Sequence, residues 1–244
     1  MANLSQSAGI GWIDLYTSDT TVPSGYSLGQ LNFGADGKAF RYALAGASNL
    51  VLSNLVQGPA IDTQFDDMAV PTTVAVNTAA GAAVTVTNGT TAVTANQFVG
   101  GTAVASTGEE YTITGHGTAT SGSALALYLD KPLRTAWTGS STTVTLRRSP
   151  WSGVIQAPTT LTAVQAGVAV YALPLATYGW IQTKGVASVL SDNSIGAVGS
   201  ALSNSAATAG DVGVFVAGTG RSLVGHAMRA LSSAKYIPAY LSID

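Results

Sequence analysis

The residues able to carry chemistry are few and scattered. Histidine occurs only at His116 and His226, and neither has a second histidine or a carboxylate at the spacing that a metal ion requires. His116 sits between Gly115 and Gly117, a turn context. His226 follows Gly225 in an Ala/Met/Leu setting, which predicts a packed, hydrogen-bonded ring. Carboxylates adjoin at Asp66-Asp67 and at Glu109-Glu110. Adjacent residues of a strand point to opposite faces, so such pairs do not act as an acid/base couple, and both read as solvated turn charges. The run Gly218-Thr219-Gly220-Arg221-Ser222 invites a phosphate-loop reading. That motif needs Gly five residues before its second Gly and Lys before the Ser, and those positions hold Phe215 and Arg221. A tight turn between strands is the expectation there. Gly46-Ala47-Ser48-Asn49-Leu50 lacks the closing glycine of a nucleophile elbow. The absence of cysteine excludes disulfides, thiol catalysis and thiolate-bound metal. The expectation is a chain that is not an enzyme, with no catalytic, cofactor-binding or metal-binding residues and no cofactor.

Aromatic residues offer the remaining chemistry. Trp12, Trp137, Trp151 and Trp180, with Tyr26, Tyr178 and Tyr236, have rings able to stack on sugars. No Asn/Asp-aromatic cluster accompanies any Trp, so packing in cores or at subunit interfaces is the favoured reading.

The elements that position these residues follow a period of two. Leu125, Leu127 and Leu129 alternate with Ala126 and Tyr128; Val144 and Leu146 alternate with Thr143, Thr145 and Arg147. Val168 and Val170, then Val212, Val214 and Val216, repeat the pattern. Over Tyr236 to Ile243, Ile237, Ala239, Leu241 and Ile243 form one face and Tyr236, Pro238, Tyr240 and Ser242 the other. Pro238 has no N–H, which predicts an edge strand or a bulge. Asn88-Gly89 between Val84–Thr87 and Thr90–Val93 predicts a two-residue type I′ hairpin, with Val84 facing Val93 and Val86 facing Thr91. Helix signals are weak: Gly196 and Gly199 break the Ala/Ser-rich stretch 191–209, and Ser222–Leu231 is either one short helix or a strand interrupted by Gly225.

The expected fold is mainly β: an extended N-terminal arm over residues 1–68, then two small antiparallel β-modules, barrel- or sandwich-like, over 69–150 and 151–244. In the arm, the apolar runs Leu28–Phe33, Phe40–Leu44 and Leu50–Val56 show no continuous partner pattern of their own. They are expected to contact something outside the chain and to order on docking.

Composition narrows the function class. Only 9% of the 244 residues are charged, the formal net charge is -2, and hydrophobic residues make up 46%. The mean hydropathy is +0.31. The ten basic residues are scattered apart from Arg147-Arg148, so nucleic acid, which needs a basic stripe, is not an expected partner. Thr, Ser, Gly or Asn interrupts every apolar run, so no membrane span and no membrane partner are expected. Met1–Gln6 shows no secretory signal, and synthesis in a cytoplasm without export by that route is expected. A surface whose polarity comes from hydroxyls rather than charges suits a protein packed into a larger assembly.

The C-terminal punctuation carries a resemblance. Gly153-Val154-Ile155 and Gly167-Val168-Ala169-Val170 precede Tyr178-Gly179-Trp180-Ile181-Gln182-Thr183-Lys184-Gly185-Val186-Ala187. Asp211-Val212-Gly213, Leu223-Val224-Gly225-His226-Ala227 and a closing strand to Asp244 follow. This pattern, over about the last 90 residues, resembles head decoration (cement) proteins of tailed bacteriophages. Leu28-Gly29-Gln30, Asp36–Tyr42, Gly46-Ala47 and Leu55–Gly58 resemble the N-terminal arm of phage particle proteins. The resemblance implies a non-enzymatic structural protein of the virion, made in the host cytoplasm and bound to the capsid surface. It further implies the major capsid protein as partner and a homo-oligomer, a trimer. It identifies no individual binding residue. A tail-associated or receptor-binding structural protein contacting host glycan is the alternative, and a cellular β-rich binding module or minor enzyme a further one.

Overall fold

The computed structural model describes residues 15–71, 80–139, 141–192, 195–217 and 220–244. Strand accounts for 43% and helix for 2%, so the chain is mainly β, as the alternation predicts. It forms two compact units: unit 1 comprises Met1–Ala60 and Pro150–Asp244, and unit 2 comprises Ile61–Ser149. The chain thus divides near 60 and 150, and its first sixty residues belong with its last ninety-five.

In chain order, unit 1 contributes β1 Leu31–Phe33, β2 Ala39–Ala45 and β3 Leu55–Gln57. Unit 2 then holds β4 Met68–Ala69, β5 Ala83–Thr87, β6 Thr102–Ala105, β7 Glu110–His116, β8 Ala124–Leu129 and β9 Thr143–Arg147. Unit 1 resumes with β10 Ser152–Gln156, β11 Gln165–Ala169, β12 Tyr178–Ser191 and β13 Ala201–Asn204. It ends with β14 Val212–Val214, β15 Leu223–Ala227 and β16 Lys235–Ser242.

In unit 1 the pairings close on themselves twice. β2, β10, β3, β11 and β12 form one ring, closed by the β2–β12 pairing; β12, β14, β13, β15 and β16 form a second, closed by β12–β16. Both rings share the 14-residue β12. Its first half runs antiparallel to β2 up to Lys184↔Ala39, and its second half pairs with β16 from Lys184↔Ser242 to Ser191↔Lys235. The change of partner coincides with a register shift between Gln182 and Lys184 and with Gly185 at φ +84. A bulge with glycine in the left-handed region bends a strand in this way. At Gly185 a Cβ would also lie 3.1 Å from the Lys38 Cα. Closure leaves few free edges, which protects short strands from pairing with other chains.

Over residues 31–57 the expected arm is therefore not free, and its first fourteen residues lie outside the described ones. Residues Phe40–Leu44 lie within β2, hydrogen-bonded to β12, and Leu55–Val56 lie in β3. Ala43, Ala45, Leu50 and Val56 join Val154, Ala166, Ala169 and Ile181 in one core. On the other face of β2, Phe40 and Tyr42 pack with Leu15 and Trp180. The partner strand β12 lies more than a hundred residues away, and local patterning cannot reveal such a partner.

The second ring is filled by the predicted face of β16, Ile237, Ala239 and Leu241, with Val189, Leu202, Val212 and Val224. β16 is not an edge strand: β12 pairs on one side and β15 on the other. Pro238 is tolerated because the β15 ladder ends at Ala227↔Ala239. One residue further, the Pro238 carbonyl accepts from the Met228 N–H at 3.0 Å, and no donor is needed from Pro238. The 222–231 segment resolves as strand β15. At Gly225 a Cβ would sit 2.0 Å from the Tyr240 carbonyl oxygen, so only glycine permits this approach of β15 to β16.

Unit 2 is one six-stranded sheet in the order β4-β9-β6-β7-β8-β5, antiparallel throughout. Leu125, Leu127 and Leu129, with Val144 and Leu146, form its core together with Val84, Val86, Phe98, Tyr111, Ile113 and Trp137. The Asn88-Gly89 hairpin does not form. β5 pairs with β8 (Val84↔Leu127, Val86↔Leu125), and Val93 bridges Ala119 instead. Neither Asn88 nor Gly89 has positive φ. Asn88 is buried and its Nδ2 donates to the carbonyls of Thr91 and Thr120, both at 2.9 Å. Its amide thus ties two loops together, a role that competes with the tight turn.

Candidate functional site

The structure separates the chemically capable residues rather than gathering them into one site among the described residues. His116, the last residue of β7, is 4% exposed. Its Nε2 accepts the Phe98 N–H at 2.9 Å, and its Nδ1 donates to the Gly117 carbonyl at 2.8 Å. Both ring nitrogens are thereby occupied by backbone. His226 differs from the expected packed ring: it is exposed on β15, cross-strand from Tyr240. Val224, Gly225 and Ala227 take the buried positions of that short strand.

The members of each carboxylate pair take separate partners, and of the four only Glu110 lies in a strand. Asp66 forms an ion pair with Arg147, while the Asp67 Oδ1 accepts from the Thr143 hydroxyl at 3.1 Å. Glu109 accepts from the Thr135 hydroxyl at 2.6 Å and the Tyr111 hydroxyl at 2.9 Å, whereas Glu110 is exposed. The Thr135 hydrogen bond, helped by Tyr111, holds the Glu109 carboxyl below its ordinary range. Asp66, Asp67 and Glu109 are thus engaged rather than simply solvated. Gly218 and Thr219 of the glycine-rich run, and Trp12, lie outside the described residues. Trp137 and Trp180 are buried, and the Arg41 guanidinium covers Trp151 at 4.7 Å from the ring centroid. The sugar-stacking faces considered for these three rings are taken up internally. Tyr42, beside Trp180, donates to Asp19 at 2.9 Å, and burial with that carboxylate pushes its phenol up.

One further pair of carboxylates emerges. Asp211 is 6% exposed, and burial pushes its carboxyl up, with Asp192 adding to the effect. Asp192 accepts from the Ser205 hydroxyl, and Ser205 Oγ in turn accepts the N–H groups of Ala207 and Thr208. This network fixes the 205–211 loop. No group of three or more metal-ligating side chains occurs among the described residues.

What the fold does assemble is a surface. Along β12, β16 and β15 the outward residues fall into cross-strand rows: Val186–Tyr240–His226, Ser188–Pro238 with Met228 beside it, and Leu190–Tyr236. Tyr236 is 58% exposed, Tyr240 46%, Met228 45% and Val186 41%. Between β12 and β16 they flank a shallow groove of ≈ 330 Å³ lined by Val186, Ala187, Ser188, Tyr236, Ile237 and Pro238. The sequence contains this face, since Tyr236, Pro238, Tyr240 and Ser242 are the predicted outward set. Its partners Val186 and His226 become visible only once β16 is placed between β12 and β15.

This exposure belongs to a wider asymmetry. Among the described residues, nineteen large hydrophobic side chains are exposed, and sixteen of them belong to unit 1; only Ile61, Val104 and Tyr128 belong to unit 2. Length does not explain the difference, because unit 1 has fewer than twice the residues of unit 2. Unit 2 instead turns Thr102, Thr112, Thr114 and Thr145 outward along its strands. No protein-family model, no curated protein and no solved structure matches the chain.

Proposed function

We propose that the chain is a non-enzymatic structural protein of a virus particle, a decoration (cement) protein that docks on the outside of the capsid and stabilises the shell. The observation that carries this reading is the asymmetry of exposed apolar side chains. Among the described residues, unit 1 leaves sixteen large hydrophobic side chains exposed, while unit 2 leaves three. Of these, Val186, Tyr236, Tyr240 and Met228 share the outer face of β12, β16 and β15, and contiguous apolar surface on a soluble protein marks a surface that is covered in an assembly. Unit 1 is then the docking unit, and hydroxyl-covered unit 2 is the part that remains in water. The resemblance of residues 153–244 to phage head decoration proteins supports the same reading, with the major capsid protein as partner and a homotrimer as the assembled form.

Docking stabilises the shell by mass action: a protein that binds only the assembled state shifts the equilibrium toward it. Residues 15–60 contribute through unit 1, not as a separate arm. The test adds purified protein to undecorated shells of the virus that encodes it, then measures co-sedimentation and resistance of the shells to heat. Saturable binding with raised heat resistance is expected. No binding, or binding without protection, refutes the function.

A further inference from the structure

We propose that Asp192 and Asp211 form a binding site for one hard divalent cation, calcium, where the end of β12 meets the 205–211 loop in unit 1. Ser205 brings the two residues together. Its hydroxyl donates to Asp192 Oδ2, and its N–H donates to the Asp211 carbonyl at 2.9 Å. The Asp192 N–H donates to the Val212 carbonyl at 3.2 Å, which fixes its backbone beside Asp211. Gly213 keeps the intervening space open: a Cβ there would lie 3.4 Å from Asp192 Oδ1 and 3.8 Å from Oδ2.

Two acidic residues alone do not make a site; what points to a ligand is that their oxygens lack partners. Asp192 Oδ1 is buried and accepts no hydrogen bond. Asp211 is 6% exposed, and among the described residues no donor and no cation offsets the burial of its carboxylate. Lys235 stands cross-strand from Ser191 but forms no ion pair with Asp192. Two buried amide oxygens nearby, Asn54 Oδ1 and Asn204 Oδ1, also lack a donor. Asn54 lies against Gly210, next to Asp211, and Asn204 precedes Ser205. Buried carboxylates are ordinarily paired, hydrogen-bonded or bound to a metal. Water could satisfy the amide oxygens but would leave the like charge of the two carboxylates unrelieved. A cation relieves both.

The donor set names the ion. It consists of oxygens, with no imidazole or thiolate, which selects a hard cation over zinc or copper. Calcium accepts irregular sets of carboxylate, hydroxyl, carbonyl and water oxygens, whereas magnesium demands a near-ideal octahedron. With two charges supplied by the chain, the site belongs to the weak class, with a Kd of about 10⁻⁴–10⁻³ M. A bound ion ties the end of β12 to the start of β14, and so braces the second ring whether or not the chain docks on a shell. Asp192 and Asp211 stand nineteen positions apart, and no ligand spacing in the sequence joins them, which is why the sequence predicts no metal-binding residue.

The test melts the full-length chain by scanning calorimetry, first with chelator and then with calcium chloride, at matched ionic strength. At a calcium concentration about a hundred times the Kd, the unit 1 transition is expected to rise by about 5–10 °C. Isothermal titration with calcium chloride is expected to show one saturable site, and magnesium chloride to give a smaller shift. Asp192→Asn and Asp211→Asn keep the side-chain shape and are expected to abolish the calcium shift. With chelator both should still unfold cooperatively, which shows that each is folded. Asp67→Asn, on unit 2, should keep the full shift. If calcium changes neither the melt nor the titration heat of the wild type, the two carboxylates share a proton instead and the proposal fails. Equal calcium shifts in the wild type and both variants place the ion elsewhere and overturn it too. A larger shift with magnesium overturns the assignment to calcium.

Discussion

Replacing His116 with leucine isolates the work done by one buried ring. Leucine fills part of the volume but offers no acceptor, so the Phe98 N–H, now bonded to His116 Nε2 at 2.9 Å, loses its partner. Phe98 is 1% exposed, and water cannot replace the lost acceptor. An orphaned buried donor costs about 1–3 kcal/mol. The second bond, from Nδ1 to the Gly117 carbonyl, costs less to lose because Gly117 is exposed and its carbonyl can turn to solvent. The ring also leaves its tilted contact with Phe98, 5.5 Å between centroids. A net loss of about 2 kcal/mol lowers the midpoint of a unit of this size by about 8–16 °C. The assay is differential scanning calorimetry of the full chain, with Trp137 fluorescence reporting on unit 2. His226→Leu is the matched control: that ring is exposed, and the change should stay within about 0.5 kcal/mol. If His116→Leu melts with the wild type, or if His226→Leu is the more damaging of the two, the assignment of the two histidines is wrong.

Other perturbations separate the remaining parts of the account. Asp211→Asn should raise stability at neutral pH. The folded state holds the Asp211 carboxyl above its ordinary 3.8, so charging it costs stability as pH rises through the folded value, and the penalty vanishes below the unfolded one. The advantage of the variant should therefore shrink as pH falls toward 4, and equal melting shifts at pH 4 and 7 would refute the burial argument. Gly225→Ala should cost about 1–3 kcal/mol, because its Cβ would meet the Tyr240 carbonyl and force β15 from β16; an unchanged melt would contradict the closed second ring. Deleting residues 31–57 removes three strands of unit 1 and should abolish cooperative unfolding of that unit, whereas a free arm would be lost without effect. Residues 61–149 expressed alone should fold cooperatively, since their core draws on no residue outside that range.

The strands with one buried face were legible in the sequence. In β8, β9 and β16 the alternation of Leu, Val and Ile with Thr, Ala and Tyr is what a sheet with one wet face needs, and burial follows it residue by residue. What escaped was pairing at a distance. β2 pairs locally with the short β1, but its other partners, β10 and β12, lie beyond unit 2 in the chain, and no local pattern reveals them. Asn88-Gly89 has the chemistry of a turn, yet the buried Asn88 amide bonds two loop carbonyls and β5 takes β8 as its neighbour. Pro238 argued for an edge, since nothing local reveals that the β15 ladder stops one residue short of it. The outward face of β16 was visible as a pattern of Tyr and Pro; that it forms a continuous surface with Val186 and His226 depends on registers set across fifty residues. His226 shows the same limit, because Gly225 places it on strand β15, where its ring turns to solvent.

The central claim, docking through unit 1, is tested most directly by hydrogen exchange of the full-length chain, free and bound to undecorated shells. Covered backbone and stabilised strands exchange more slowly, so protection locates the interface without altering any residue. The account predicts slowed exchange on binding in peptides from β12, β15 and β16, with residues 61–149 unchanged. Protection confined to 61–149, or no difference anywhere in unit 1, would contradict it.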